Sequence, residues 1–255
     1  MLHSSSILPP RRRVGLVTGM TLPLVLVCIT SFAIETARME LPADFESAAE
    51  RATIEGFGGW NKGSYTFLDY RGEFARGESR LGIFDPLYVS SKGRSSFTLA
   101  GADGGEEFAA DCEMKKGAVT VGIVSFDPKK MSYRCEFRRD GLLTDAQFVL
   151  GQPKYASMKE RLLAKDQRRG EAVILGKHFV IESVHRYRGT KFTSQAPVGY
   201  VLRFGDDIAG AVELTDVNPT VYLTRGQEAD LRQAASIVAL ALAVLRDPAH
   251  SAMEE

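Results

Sequence analysis

Residues Ala234–Leu245 read AASIVALALAVL, apolar on every face, with Ser236 the only polar side chain. Polar segments bracket the run, Gly226–Asp230 before it and Arg246-Asp247-Pro248 after it. A helix of this length rises only about 18 Å, and roughly 20 apolar residues are needed to cross a bilayer. A helix without a polar face is stable in water only when other structure encloses it. The segments before it read as strands, so a sheet wrapped around the chain's own C-terminal helix, residues 227–246, is the expectation.

The strand runs are Tyr65–Tyr70, Glu73–Phe84, Leu87–Ser90, Ser95–Ala100, Glu107–Lys115, Ala118–Phe126, Met131–Arg138 and Ala146–Leu150. After them come Glu171–Leu175, His178–Arg186, Val198–Phe204, Ala209–Leu214 and Thr220–Leu223. Turn signals separate them, among them Arg71-Gly72, Lys116-Gly117, Asp140-Gly141 and Asn218-Pro219, and short runs at this spacing are the pattern of a barrel or sandwich. Alternation sets faces: Phe179, Ile181 and Ser183 oppose His178, Val180 and Glu182, and Tyr200 and Leu202 oppose Val201 and Arg203. Two further helices are expected, an amphipathic one over Leu41–Ile54 with Asp44 as cap, and one over Tyr155–Asp166. The fold class is mainly β (α+β): about twelve antiparallel strands in a barrel around an apolar C-terminal helix, with a β-sandwich over a packed helix as the alternative. Closure favours the barrel, because it removes exposed strand edges. The segments are then 1–37, a signal or anchor; 38–60, a short helix and Gly-rich linker; and 61–250, one β-rich domain.

The strand pair Val198–Leu214, the turn Asn218-Pro219 and the final helix Ala234–Leu245 give a layout that resembles the tubby C-terminal and phospholipid-scramblase group. That resemblance implies a closed barrel of about twelve strands encircling a hydrophobic C-terminal helix. It extends to the layout alone; no lipid-handling signature of that group maps onto particular residues here.

At the N-terminus Arg11-Arg12-Arg13 precede Val14–Ile34, which carries no charge, and Glu35 ends the run. A basic flank before an apolar stretch reads as a cleaved secretory signal or a retained signal anchor, and the positive-inside rule exports the chain beyond Glu35. Ser31-Phe32-Ala33 offers the small residues a signal peptidase needs, whereas Cys28 follows Val27 and does not fit lipidation. The domain is therefore expected to be periplasmic, or anchored and facing outward. In an oxidising compartment Cys112 and Cys135 form an even pair and a candidate disulfide. A formal net charge of zero removes the case for nucleic acid as a partner.

Candidate binding residues are basic or aromatic. His185, Arg186, Arg188 and Lys191 fall in one hairpin-like stretch, where guanidinium groups could grip phosphate or another anionic headgroup. Lys159, Arg161, Lys165, Arg168 and Arg169 make a second basic stretch, and Trp60 with Phe57 lies in the glycine-rich joint. Asp206-Asp207 read as turn formers. His178 and His185, seven apart on one strand, take opposite faces, which argues against a shared metal. Ser183 and His185 are not read as a catalytic pair. Neither GxSxG, HExxH, a Walker loop, GxGxxG nor CxxC occurs, and no cofactor or metal is implied. The resulting expectation is an exported, non-enzymatic envelope domain that binds a lipid, an anionic ligand or an envelope protein. The alternatives are an envelope hydrolase with a site near His178, His185 and Asp206, and a structural or assembly factor.

Overall fold

Sheet pairing builds the molecule almost entirely between strands that are neighbours in the chain. The structure, a computed structural model, describes residues 37–80, 91–102, 104–116, 120–121, 124–125, 131–154 and 166–247. In chain order the elements are α1 (Ala43–Ala48), β1 (Ala49–Thr53), β2 (Lys62–Phe67), β3 (Tyr70–Arg80), β4 (Ser91–Gly101), β5 (Glu107–Lys116), β6 (Thr120–Val121) and β7 (Val124–Ser125). Then come β8 (Met131–Arg139), β9 (Leu142–Gly151), β10 (Arg169–Ile174), β11 (Lys177–Val184), β12 (Gly199–Phe204), β13 (Asp207–Glu213), β14 (Thr220–Thr224) and α2 (Ala229–Val244). Twelve strands form one antiparallel sheet in the order β1-β14-β13-β12-β11-β10-β9-β8-β5-β4-β3-β2, with β6 and β7 a separate small hairpin. The outermost strands of that order meet: just past β1, Glu55 exchanges two backbone hydrogen bonds with Thr66 of β2, at 2.9 and 3.1 Å. The sheet is a nearly closed up-and-down barrel, not a sandwich.

Helix α2 fills the barrel. Every residue from Ala234 to Val244 is buried. The surrounding wall contributes inward side chains at period two, such as Tyr65 and Phe67 from β2, Phe97 and Leu99 from β4, Phe179 and Ile181 from β11, and Tyr200 and Leu202 from β12. Small residues on the helix let this aromatic-rich wall approach closely at interior density. Two interior hydroxyls beside the helix are bonded: Ser236 Oγ donates to the Arg232 carbonyl at 2.9 Å, and Tyr133 Oη lies 2.6 Å from Ser95 Oγ and donates to the Ala241 carbonyl at 3.3 Å.

Cys112 on β5 and Cys135 on β8 are direct cross-strand partners joined by a disulfide on the inner face, with Cα atoms 4.0 Å apart. Opening the loop they close is expected to cost about 3 kcal/mol in the chain-entropy account. Urea midpoints with and without reductant check this, and coincident midpoints would show that the bridge does not contribute.

Several expectations are corrected. The helix expected over Leu41–Ile54 is confined to α1; from Ala49 the chain is extended and pairs with β14, Ala49 opposite Thr224 through Thr53 opposite Thr220. Without β1 the strand β14 would be an open edge, and satisfying that edge outweighs the local helical preference of AERAT. Residues 38–60 are thus no linker, since Ile54 and Phe57 belong fully to the core. The turn expected at Arg71-Gly72 lies at Leu68-Asp69, between β2 and β3. Within the strand expected over 118–126, β6 and β7 pair with each other instead. The expected signal or anchor up to residue 36, the strand Leu87–Ser90 and the helix over 155–165 lie outside the described residues.

The barrel has two unlike ends. At one, strands are joined by the short turns 68–69, 140–141, 175–176 and 205–206, and β4 ends beside the start of β5. Asp140-Gly141 and Leu175-Gly176 have positive φ at both positions, the conformation that suits strand twist in a tight hairpin. At the other end lie the connections 54–61, 185–198 and 214–219, the last residues of β3, β5 and β9, and the chain from Leu245 to Asp247 after α2. We call these the turn end and the loop end.

Candidate functional site at the loop end

The loop end is stitched together from distant parts of the sequence. Gly58 donates its backbone N–H to Asn218 Oδ1 at 2.7 Å, joining connections 54–61 and 214–219. Buried Glu213, at the end of β13, accepts from Met39 N–H at 2.7 Å, Thr215 Oγ at 2.8 Å and Tyr222 Oη at 2.6 Å. Burial and the Glu213 carboxylate push the Tyr222 hydroxyl up to about 12, so it stays a donor. Met39 in turn bridges to Tyr187, Glu40 N–H donates to the Arg186 carbonyl, and Arg188 N–H donates to the Arg38 carbonyl. Met39, Leu41, Phe45 and Ala49 then form a second apolar cluster with Val198, Val201, Ala211 and Tyr222 on the outer wall.

These contacts revise the basic candidates. Arg186 and Arg188 are engaged by acidic residues of the N-terminal segment, Arg186 with Glu40 and Arg188 with Glu46, each at 2.7 Å. Arg168 is not a surface cation. It is buried and forms a bidentate pair with Asp247, Nε to Oδ2 at 2.8 Å and Nη2 to Oδ1 at 2.6 Å, beside Tyr200. Burial lowers its pKa, but the Asp247 carboxylate more than compensates and raises it above the ordinary value. Tyr200 is pushed well up by burial and then by the same carboxylate. Arg169 is exposed and pairs with Glu182 at 3.1 Å. Lys191 and Trp60 are exposed on the loop end. Lys159, Arg161 and Lys165 lie outside the described residues.

His178, His185 and Asp206 do not converge. His178 is at the start of β11 and Asp206 in the turn after β12, both at the turn end, while His185 is at the loop end. His178 Nε2 lies 3.2 Å from Glu171 Oε2 on the outer wall. Ser183 and His185, not read as a catalytic pair from the sequence, do meet: residues two apart share a strand face, and Ser183 Oγ lies 3.0 Å from His185 Nε2. His185 Nδ1 faces the Ser194 carbonyl at 3.3 Å, and a carbonyl only accepts, so Nε2 is left to accept the Ser183 proton. Ser183 Oγ also accepts the Arg168 N–H at 2.9 Å. The pair ties β11 to the start of β10 and to the loop 185–194.

Sequence reasoning missed Arg76. It follows Phe74 at period two and so points inward, at the mouth where α2 ends. Its guanidinium lies over the rings of Phe57 and Phe74 at 4.8 and 4.9 Å, and its Nε and Nη2 have no hydrogen-bond partner among the described residues. Burial, and then repulsion from Arg246, push its pKa down to about 10. The adjoining cleft, shared with Gly93, Tyr133 and Leu245, is small. On the outer wall a larger groove of about 920 Å³ runs across β3, β4, β5, β8 and β9, with Arg94 and Arg134 facing Asp111, Glu113 and Glu136. Its mixed charge selects no ligand sign.

Comparison with protein-family models, curated proteins and solved structures finds no match. Among the described residues no cluster of three or more His, Cys, Asp or Glu side chains could hold a metal ion, and no helix is long and apolar enough to cross a membrane.

Proposed function

We propose that the chain is a non-enzymatic binding module of an exported compartment, carried across the cytoplasmic membrane by residues 14–34, with a lipid, an anionic ligand or an envelope protein as its partner. One observation carries this reading: the lumen is filled by α2, whose residues Ala234–Val244 are all buried. Barrels that hold small ligands keep that space open, so recognition here falls to the rim and the outer wall. The proposed likeness to the tubby and scramblase group rests on layout alone, twelve strands around a C-terminal helix. Extraction of lipids and metabolites from the purified chain, followed by mass spectrometry, tests the reading. A ligand retained in near-equal amount to protein is expected; a chain that retains no ligand and co-purifies with no envelope protein would overturn it.

The contact between Ser183 and His185 favours a second reading, hydrolysis by a serine nucleophile. A fluorophosphonate probe decides between them. An adduct on Ser183 that disappears in Ser183→Ala would establish the hydrolase, and the binding reading expects no adduct.

A further inference from the structure

We infer that the loop end of the barrel docks on the surface of an anionic phospholipid bilayer, with Phe192 and Trp60 as interfacial anchors and Lys191 beside the headgroups. The inference rests on the proposed function and names its partner. Three large apolar side chains stand exposed at this end, Phe192 at 79%, Trp60 at 71% and Val217 at 63%. They occupy connections 185–198, 54–61 and 214–219, which the hydrogen bonds through Gly58, Asn218, Glu213 and Met39 hold as one rim. Aromatic rings are favoured at the membrane–water interface, where one side is apolar and the other wet.

Phe192 is presented on a preorganised hairpin. Ser194 N–H donates to the His185 carbonyl at 2.7 Å, Arg186 bridges to Thr193, and Phe192 N–H donates to Thr190 Oγ at 3.2 Å. Little ordering entropy is therefore lost on docking. In the connection 185–198, Arg186 and Arg188 are paired with Glu40 and Glu46, which leaves Lys191 as its exposed cation. Each cation near an anionic membrane surface strengthens attraction by a factor of about five.

Arg38 is held at the loop end by the hydrogen bond from Arg188, and the uncharged run Val14–Ile34 ends only four residues earlier. Those residues reach about 14 Å when fully extended, while the headgroup layer is itself about 6 Å deep. If residues 14–34 stay in the bilayer, that tether keeps Arg38, and with it the loop end, within reach of the headgroups. The turn end also exposes apolar side chains, Leu142 and Leu143, and the test must separate the two.

Trp60 is the single tryptophan of the chain, so intrinsic fluorescence reports on the loop end alone. The full chain is reconstituted in phosphatidylcholine bilayers with and without phosphatidylglycerol, and quenching by lipids brominated near the headgroup is measured. Strong quenching with a blue shift is expected in the anionic bilayer. Lys191→Gln should weaken it about fivefold, and Phe192→Ser about tenfold. A third variant, with a flexible spacer inserted between Glu35 and Arg38, separates docking from tethering: quenching persists if the rim itself binds. Absent quenching, quenching equal in both bilayers, or quenching lost in the spacer variant would each overturn the inference. A small ligand found by extraction would still uphold the binding module in that event.

Discussion

Ala239→Glu is expected to leave the chain unfolded at room temperature. Ala239 is fully buried in the middle of α2, with barrel wall on all sides. An ionised carboxylate placed there without a partner costs several kcal/mol, and protonation exchanges that penalty for a buried polar group and an overpacked site. Domains of this size are stable by only about 5–15 kcal/mol, so one such change removes most or all of the margin. Ala229→Glu is the control. It lies on the exposed first turn of the same helix, where a negative charge is mildly favourable to the helix dipole. Far-UV circular dichroism and urea unfolding should therefore show a native-like Ala229→Glu and an Ala239→Glu without a cooperative transition. A near-normal midpoint for Ala239→Glu would show that the helix is not enclosed.

What could be read from the sequence was set by local pattern. The enclosed helix followed from an apolar run with no wet face, and the inward faces of β11 and β12 followed from period-two alternation through Phe179, Ile181, Tyr200 and Leu202. The features that escaped are decided by partners far away in the chain. AERAT becomes β1 only because β14, at Thr220–Thr224, needs a partner. Arg186 and Arg188 read as a basic tip until Glu40 and Glu46 arrive from the N-terminal segment. Leu175 adopts a positive φ in the turn to β11, a conformation its side chain disfavours and that the hairpin imposes. The difference between a turn end and a loop end is likewise a property of closure: connection lengths are visible in the sequence, but which of them share a rim is known only once the strands pair.

Arg168→Met is expected to destabilise the barrel by about 3–5 kcal/mol, the usual cost of removing one partner from a buried ion pair. The guanidinium and the Asp247 carboxylate are 5% and 2% exposed, and 79 residues separate them in sequence. Their bidentate contact fastens the chain just past α2 to the start of β10 at the loop end. Losing the guanidinium strips two charge-assisted bonds from a carboxylate that stays buried beside Tyr200, where burial already keeps the phenol protonated. The double variant Arg168→Met, Asp247→Leu removes both charges together and should recover most of the loss, because apolar replacement of a whole buried pair is often neutral. Urea denaturation of the two single variants and the double variant gives the coupling directly. A strictly additive cycle would show that the two residues do not act as a pair. A large coupling, with faster amide exchange over Ala241–Asp247 in Arg168→Met, would mark the pair as the latch that keeps α2 seated at the end of the barrel where the rim carries Phe192 and Trp60.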